Sequence, residues 1–237
     1  MARRSTLLLF LLCAALLGCP AIRAQAPQQP AHPGAPLSTT QRMEKMGLVD
    51  VATLDSALVV YLPYATANNF TGQVLYEDLD RAFLQPEVAE KLLKALHILR
   101  RSHPGLTLIV YDAARPISIQ RRMWEVVRGT PQQIYVSNPN SGGGLHNYGA
   151  AVDLTLADRN ENPLPMGTPF DFFGPEAHID REAELVSQGK ITQAEADNRQ
   201  LLRRVMREAG FIPLRSEWWH FNSLRLAEAK TRYPLIN

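Results

Sequence analysis

The chain has 237 residues, of which 46% are hydrophobic and 20% charged, with a formal net charge of +2. That length and composition are enough to bury a sizeable core. So small a net charge, with no basic block or stripe, offers nothing to a phosphate backbone, and nucleic acid is excluded as an expected partner.

Arg3 and Arg4 precede an apolar run from Leu7 to Leu17 that is short for a membrane span. Residues 1–24 are therefore expected to be an export signal, with no transmembrane span left in the mature protein. Two endings are open. Residues 16–19 read LLGC, which resembles a lipobox and would make Cys19 a lipid anchor, whereas Ile22-Arg23-Ala24 offers an ordinary cleavage site. The expected location is periplasmic or outer-envelope. Cys13 and Cys19 are the only cysteines, so any metal site after the leader must be built from His, Asp and Glu. Pro27, Pro30, Pro33 and Pro36 then recur at every third position, the spacing of an extended polyproline segment. Residues 25–45 are expected to be a linker and residues 46–237 a single folded domain.

Within that domain, residues 86–101 place Val88, Leu92, Leu93, Leu96 and Leu99 on one helical stripe, with Pro86 suited to the first turn and Pro104-Gly105 beyond the end. His97 lies beside the stripe and reads as a surface residue. Residues 106–112, LTLIVYD, read as a buried strand, and residues 116–128 as a helix stopped by Gly129. Arg115 falls in the turn between them. Thr192 with Glu195 forms a capping box for a helix that Gly210 ends, and two strand-like pieces follow, FIPLR and SEWWHFN. The order of elements points to an α+β fold with a mainly antiparallel central sheet flanked by helices.

In residues 151–156 Val152, Leu154 and Leu156 alternate with Asp153 and Thr155, so Asp153 faces away from the apolar side of a strand. His146 precedes that strand by a glycine-loosened loop. Fully extended, seven residues would hold the two side chains more than ~20 Å apart, so the loop must fold back for them to meet. In the second cluster, EWWH, Glu217 stands three residues before His220. An ideal strand would send those two to opposite faces, while a bulge or helical turn would bring them together. If His146, Asp153 and His220 converge, two imidazoles and one carboxylate face a metal with a position left for water. Glu217 would then be free to move a proton, and Arg115 to meet a developing oxyanion. Spacing alone also allows the plainer reading of EWWH as a core strand with aromatic packing.

The stretches GLHNYGAAVDLTL and SEWWHF, in that order, together with YATANNFTG, YDAARP and MGTPFDFF, resemble the signatures of the zinc D-alanyl-D-alanine dipeptidases, the VanX-like enzymes of vancomycin resistance and cell-wall turnover. The resemblance runs from about Leu48 to the C-terminus. It implies one zinc ion per chain on His146, Asp153 and His220, with Glu217 as general base and later acid and Arg115 as oxyanion stabiliser. Asp171 would hold the amino group of the substrate, D-Ala-D-Ala or a related small peptide. Tyr64 and Asp112 would shape the substrate pocket, with an orienting role toward Arg115 equally open for Asp112. One departure stands out: the vancomycin-resistance enzymes carry serine two positions before the first histidine ligand, and this chain has Gly144. His178, near Glu176 and Asp180, reads as part of a solvated loop. Two other activities compete: a D,D- or L,D-carboxypeptidase acting on longer peptidoglycan stem peptides, and a non-catalytic zinc-binding wall module.

Overall fold

A computed structural model of the protein describes residues 36–237. The leader, Cys19 and the linker up to residue 35 lie outside the described residues. The linker ends earlier than expected. Ser38 and Gln41 close a reciprocal capping box, and helix α1 (Thr39–Lys45) follows, with Met43 fully buried. The folded unit therefore takes in residues 37–45 as well.

Two short strands, β1 (Val49–Asp50) and β2 (Val59–Val60), come next, and β3 (Phe83–Leu84) pairs antiparallel with β1. The predicted helix is α2 (Pro86–Ser102), which opens on Pro86 and buries Val88, Leu92, Ala95, Leu96 and Leu99 along one face. Burying each such leucine stabilises the fold by about 1.5–3 kcal/mol. The predicted strand is β4 (Leu106–Asp112), and α3 (Ile117–Val127) follows the YDAARP turn. Strand β5 (Ala151–Asp158) is the longest, and the short α4 (Glu182–Ser187) leads to α5 (Gln193–Ala209). The capping box of α5 is made as its sequence predicts. Glu195 N–H donates to Thr192 Oγ1 at 3.2 Å, Thr192 N–H donates to Glu195 Oε2 at 2.7 Å, and Gly210 ends the helix at φ 98°. The chain closes with β6 (Ile212–Leu214), β7 (Glu217–Asn222) and α6 (Leu226–Arg232).

Five strands form one sheet in the order β2-β4-β5-β7-β6. Only the edge pair β2-β4 is parallel, and the other three pairings are antiparallel. The fold is thus α+β with a mainly antiparallel sheet. Leu108, Val110, Val152, Leu154 and Leu156 belong to the main core with the buried faces of α2 and α5. The opposite face carries Ile109, Tyr111 and Ala157 in a separate cluster against Phe170. Among the described residues, no helix is long and apolar enough to cross a membrane. His97 sits on α2 with its side chain 54% exposed, 3.9 Å from Asp55, as a surface residue should.

Candidate metal centre and its pocket

Strand pairing assembles the first part of the site. Asp153 on β5 stands opposite Asp112 on β4 and opposite His220 on β7. An undisturbed ladder would not give this row. Val110 pairs with Leu154, so with Tyr111 paired in regular register Asp112 would fall opposite Val152, on the helix-packed face; Tyr111 instead bulges out of the ladder and Asp112 stands opposite Asp153. A second irregularity lies in β7. Leu214 pairs with Glu217 while Pro213 pairs with Phe221, so residues 218–220 break the register. This is how Glu217 and His220, three apart, come to line one cavity.

His146 reaches Asp153 because its loop folds back as a 3-10 turn, Leu145–Tyr148, closed by Gly149 at φ 64°. That conformation is costly for a residue with a Cβ. The turn is locked to the YDAARP segment: Arg115 N–H donates to His146 O at 2.9 Å and Asn147 Nδ2 to Arg115 O at 2.9 Å. Gly143, at φ 69°, gives Asn147 its room, since a Cβ there would lie 2.1 Å from Asn147 Oδ1.

The two imidazoles are oriented by their outer partners. His146 Nδ1 lies 2.7 Å from Ala113 O, and His220 Nε2 lies 2.7 Å from Asn222 Oδ1. Each contact places the ring proton on the outward nitrogen, which turns the lone pairs of His146 Nε2 and His220 Nδ1 inward. These two atoms are 3.1 Å apart, with Asp153 Oδ1 2.9 Å from His220 and Asp153 Oδ2 3.3 Å from His146. Three atoms of metal-ligand type thus face one another in a buried corner, where a cation between them would be stabilised. The local electrostatics point the same way. Burial opposes a charge on His146, but Asp153 outweighs it and raises its pKa. Burial likewise works against ionised Asp153, and the two histidines overcome it and hold the carboxyl low. Two nitrogens and one carboxylate, with no thiolate, suit a divalent transition metal better than calcium or magnesium, which take oxygen cages. Among the described residues this is the one cluster of its kind.

A cavity of about 50 Å³ opens on this corner, and Glu217, Arg115, Tyr64 and Asp171 all line it. Burial pushes the Glu217 carboxyl up to about 8, with His220 pulling the other way and Asp153 and Asp171 adding to the rise. Arg115 is buried and held by three of its five N–H donors. Nε donates to Asp112 Oδ2 at 2.9 Å, Nη2 donates to the same oxygen, and Nη1 donates to Gln120 Oε1 at 2.9 Å. Two donors remain free. Asp112 is fully buried, takes a further hydrogen bond from Tyr76, and does not line the cavity. Its geometry is that of the residue that orients Arg115, the second of the two roles open to it.

Asp171 arrives on the loop over residues 166–173. It is one of two non-glycine residues with positive φ among the described residues, at 61°, and accepts a hydrogen bond from Tyr64 Oη at 2.8 Å. Burial raises its carboxyl to about 8; the Tyr64 hydrogen bond opposes that rise and Asp153 adds to it. Burial, reinforced by Asp171, holds Tyr64 far above the ordinary phenol range, so it stays a donor. Distant side chains fix the loop: Trp218 Nε1 donates to Thr168 Oγ1 at 2.8 Å, and Arg199 donates to Met166 O at 2.6 Å and Glu176 O at 2.9 Å. Of the EWWH tryptophans, Trp219 lines the cavity, while Trp218 braces this loop. His178 is not simply solvated. Its Nε2 lies 3.4 Å from the hydroxyl of Tyr135, whose ring stacks on Phe173 at the pocket.

Several partners escaped the sequence reading. Asn222, two residues beyond His220 on the same strand, could have been found from alternation. Tyr76, Gln120 and Asn147 act through long-range packing that leaves no local signal.

The family model described as D-ala-D-ala dipeptidase, of the M15 peptidases, matches residues 44–234. The D-alanyl-D-alanine dipeptidase of Escherichia coli (strain K12) is 35% identical over 189 residues, 80% of this chain and 89% of the relative. That of Enterococcus faecium is 31% identical over 179 residues, 67% of this chain and 82% of the relative. That of Enterococcus faecalis is 30% identical over 184 residues, with the same two coverages.

Proposed function

The chain belongs to the D-Ala-D-Ala dipeptidase family of M15 peptidases, and we propose on that premise that it is a zinc-dependent hydrolase. Its substrate would be D-alanyl-D-alanine or a closely related dipeptide, released to free amino acids in peptidoglycan metabolism. The observation that carries this reading is the convergence of His146, Asp153 and His220 beside Glu217 in one small cavity bounded by Asp171.

Zinc held by His146 Nε2, His220 Nδ1 and Asp153 would supply Lewis acidity, bringing the pKa of water down to about 7 and polarising the scissile carbonyl. The remaining steps belong to side chains of this chain. Asp171 accepts the substrate ammonium group, and Tyr64 holds its carboxylate at the required angle. The incoming ammonium charge favours the ionised form of Asp171 that binds it. Glu217, whose burial keeps its proton affinity high, takes the proton of the attacking water and passes it to the leaving amine. The two free N–H donors of Arg115 meet the charge that develops on the carbonyl oxygen, a contribution typically worth about a hundredfold to a thousandfold in rate.

The carboxylate at position 171 favours a substrate with a free amino group beside the scissile bond over a long stem peptide. Glu217 and Arg115 together favour turnover over a purely structural zinc module. The leader-like first residues support action outside the inner membrane, in degradation or recycling of wall-derived dipeptide, with Cys19 as a candidate anchor. The test is product analysis on purified protein. One zinc per chain, release of D-alanine from D-Ala-D-Ala, and no release from the N-acetylated dipeptide or a muramyl pentapeptide are expected. Glu217→Gln should keep its zinc and lose turnover by about a hundredfold or more; full activity in that variant would sink the mechanism.

A further inference from the structure

Gly144 adopts φ −111° and ψ −173°, extended backbone that any residue can take. Its backbone therefore does not require glycine. A Cβ built on Gly144 would lie 2.6 Å from Ser137 Oγ and 3.1 Å from Ser137 Cβ, so the Ser137 side chain would have to turn to admit one. Ser137, in the connection that follows the 3-10 turn Pro131–Tyr135, already fills the volume that a side chain at 144 would need. It lines the same cavity as Asp171, Glu217 and His146, and its hydroxyl has no hydrogen-bond partner among the described residues. The backbone beneath it is fixed. Ser137 O accepts from Gln120 Nε2 at 2.8 Å, and Gln120 Oε1 accepts from Arg115 Nη1 at 2.9 Å.

We propose that Ser137 is a specificity-determining residue whose hydroxyl, standing in the space left open at Gly144, donates a hydrogen bond to the carboxylate of the bound dipeptide. The inference rests on the dipeptidase reading and extends it to the other end of the substrate. Charge complementarity assigns the ends. The ammonium group goes to the Asp171 carboxylate, and the carboxylate goes to the donor side, where Arg115, Gln120 and Ser137 are tied in series. A fixed backbone with a free hydroxyl on a small cavity is a donor made ready for a ligand.

Three variants test this against D-Ala-D-Ala: Ser137→Ala, Gly144→Ser, and the two together. Ser137 is exposed, so Ser137→Ala should fold and bind zinc as the wild type does. The expected result is a rise in KM of about tenfold or more with kcat within about threefold, the signature of a lost ground-state contact to a charged group. Gly144→Ser alone should also raise KM, because the new Cβ crowds Ser137. In the double variant the atom nearest the new Cβ, Ser137 Oγ, is gone, so its KM should be no higher than that of Ser137→Ala. An unchanged KM in Ser137→Ala overturns the proposal, and so does a rise in KM matched by a fall in bound zinc and thermal stability, which would make Ser137 a packing residue. Wild-type protein that leaves D-Ala-D-Ala intact defeats the dipeptidase reading itself, and that outcome is visible before any variant is compared.

Discussion

The metal corner and the Asp171 loop face each other across one small cavity, yet they are held by different means. In the corner, Asp153 and His220 are register partners of a sheet ladder, and His146 is locked by backbone hydrogen bonds to Arg115 and within its own turn. The loop over residues 166–173 has no ladder. Arg199, Trp218 and Tyr64 reach it from three other parts of the chain, and it holds Asp171 in a left-handed conformation that costs on the order of 1 kcal/mol. Local pairing rules can build a cluster able to hold a metal, while the loop across from it is held by side chains far apart in the sequence.

That contrast can be broken from either side. The largest effect should come from His220→Ala, which removes a ligand from the rigid half. Bound zinc should fall below stoichiometric and turnover by at least about a thousandfold, while circular dichroism stays native. Retention of tight zinc would show that the corner is not the metal site. Asn222→Ala removes only the acceptor behind His220, and a loss of about 10–100-fold in metal affinity is expected, read by competition with a chelator. Asp171→Asn acts on the other half. KM for the dipeptide should rise about tenfold or more with metal affinity unchanged, and a changed metal affinity would show that the halves are coupled. The smallest effect is expected from Arg199→Met, which strands the carbonyls of Met166 and Glu176. A loss of about 1–3 kcal/mol in stability and a severalfold rise in KM, again without a change in metal affinity, would mark Arg199 as a positioning residue for the loop.

The same division decided what could be read from the sequence. Alternation in β5 gave the direction of Asp153, the capping box gave the start of α5, and the proline and glycine signals framed α2 and α3 to within a residue or two. The Ser38 and Gln41 pair carried the same capping signature, but the proline run before it drew residues 37–45 into the linker. Gly144 stood out only by comparison with the vancomycin-resistance enzymes, and its contact in space, the side chain of Ser137 seven residues earlier, is visible only once the loop is folded. The roles of Tyr76, Gln120 and Arg199 depend on contacts between elements distant in the chain, which propensity and period do not encode.

Tyr111 gives strand register a meaning of its own in this fold. Because that single inserted residue reverses the phase of the ladder, β4 works as two half-strands whose odd and even positions are exchanged. The pairing register of β4 is therefore a chemical variable, separate from the identity of its residues. Were the bulge to close with every residue kept, Tyr111 would stand opposite Asp153 and Asp112 opposite Val152, turned away from Arg115 with every atom of the centre unaltered.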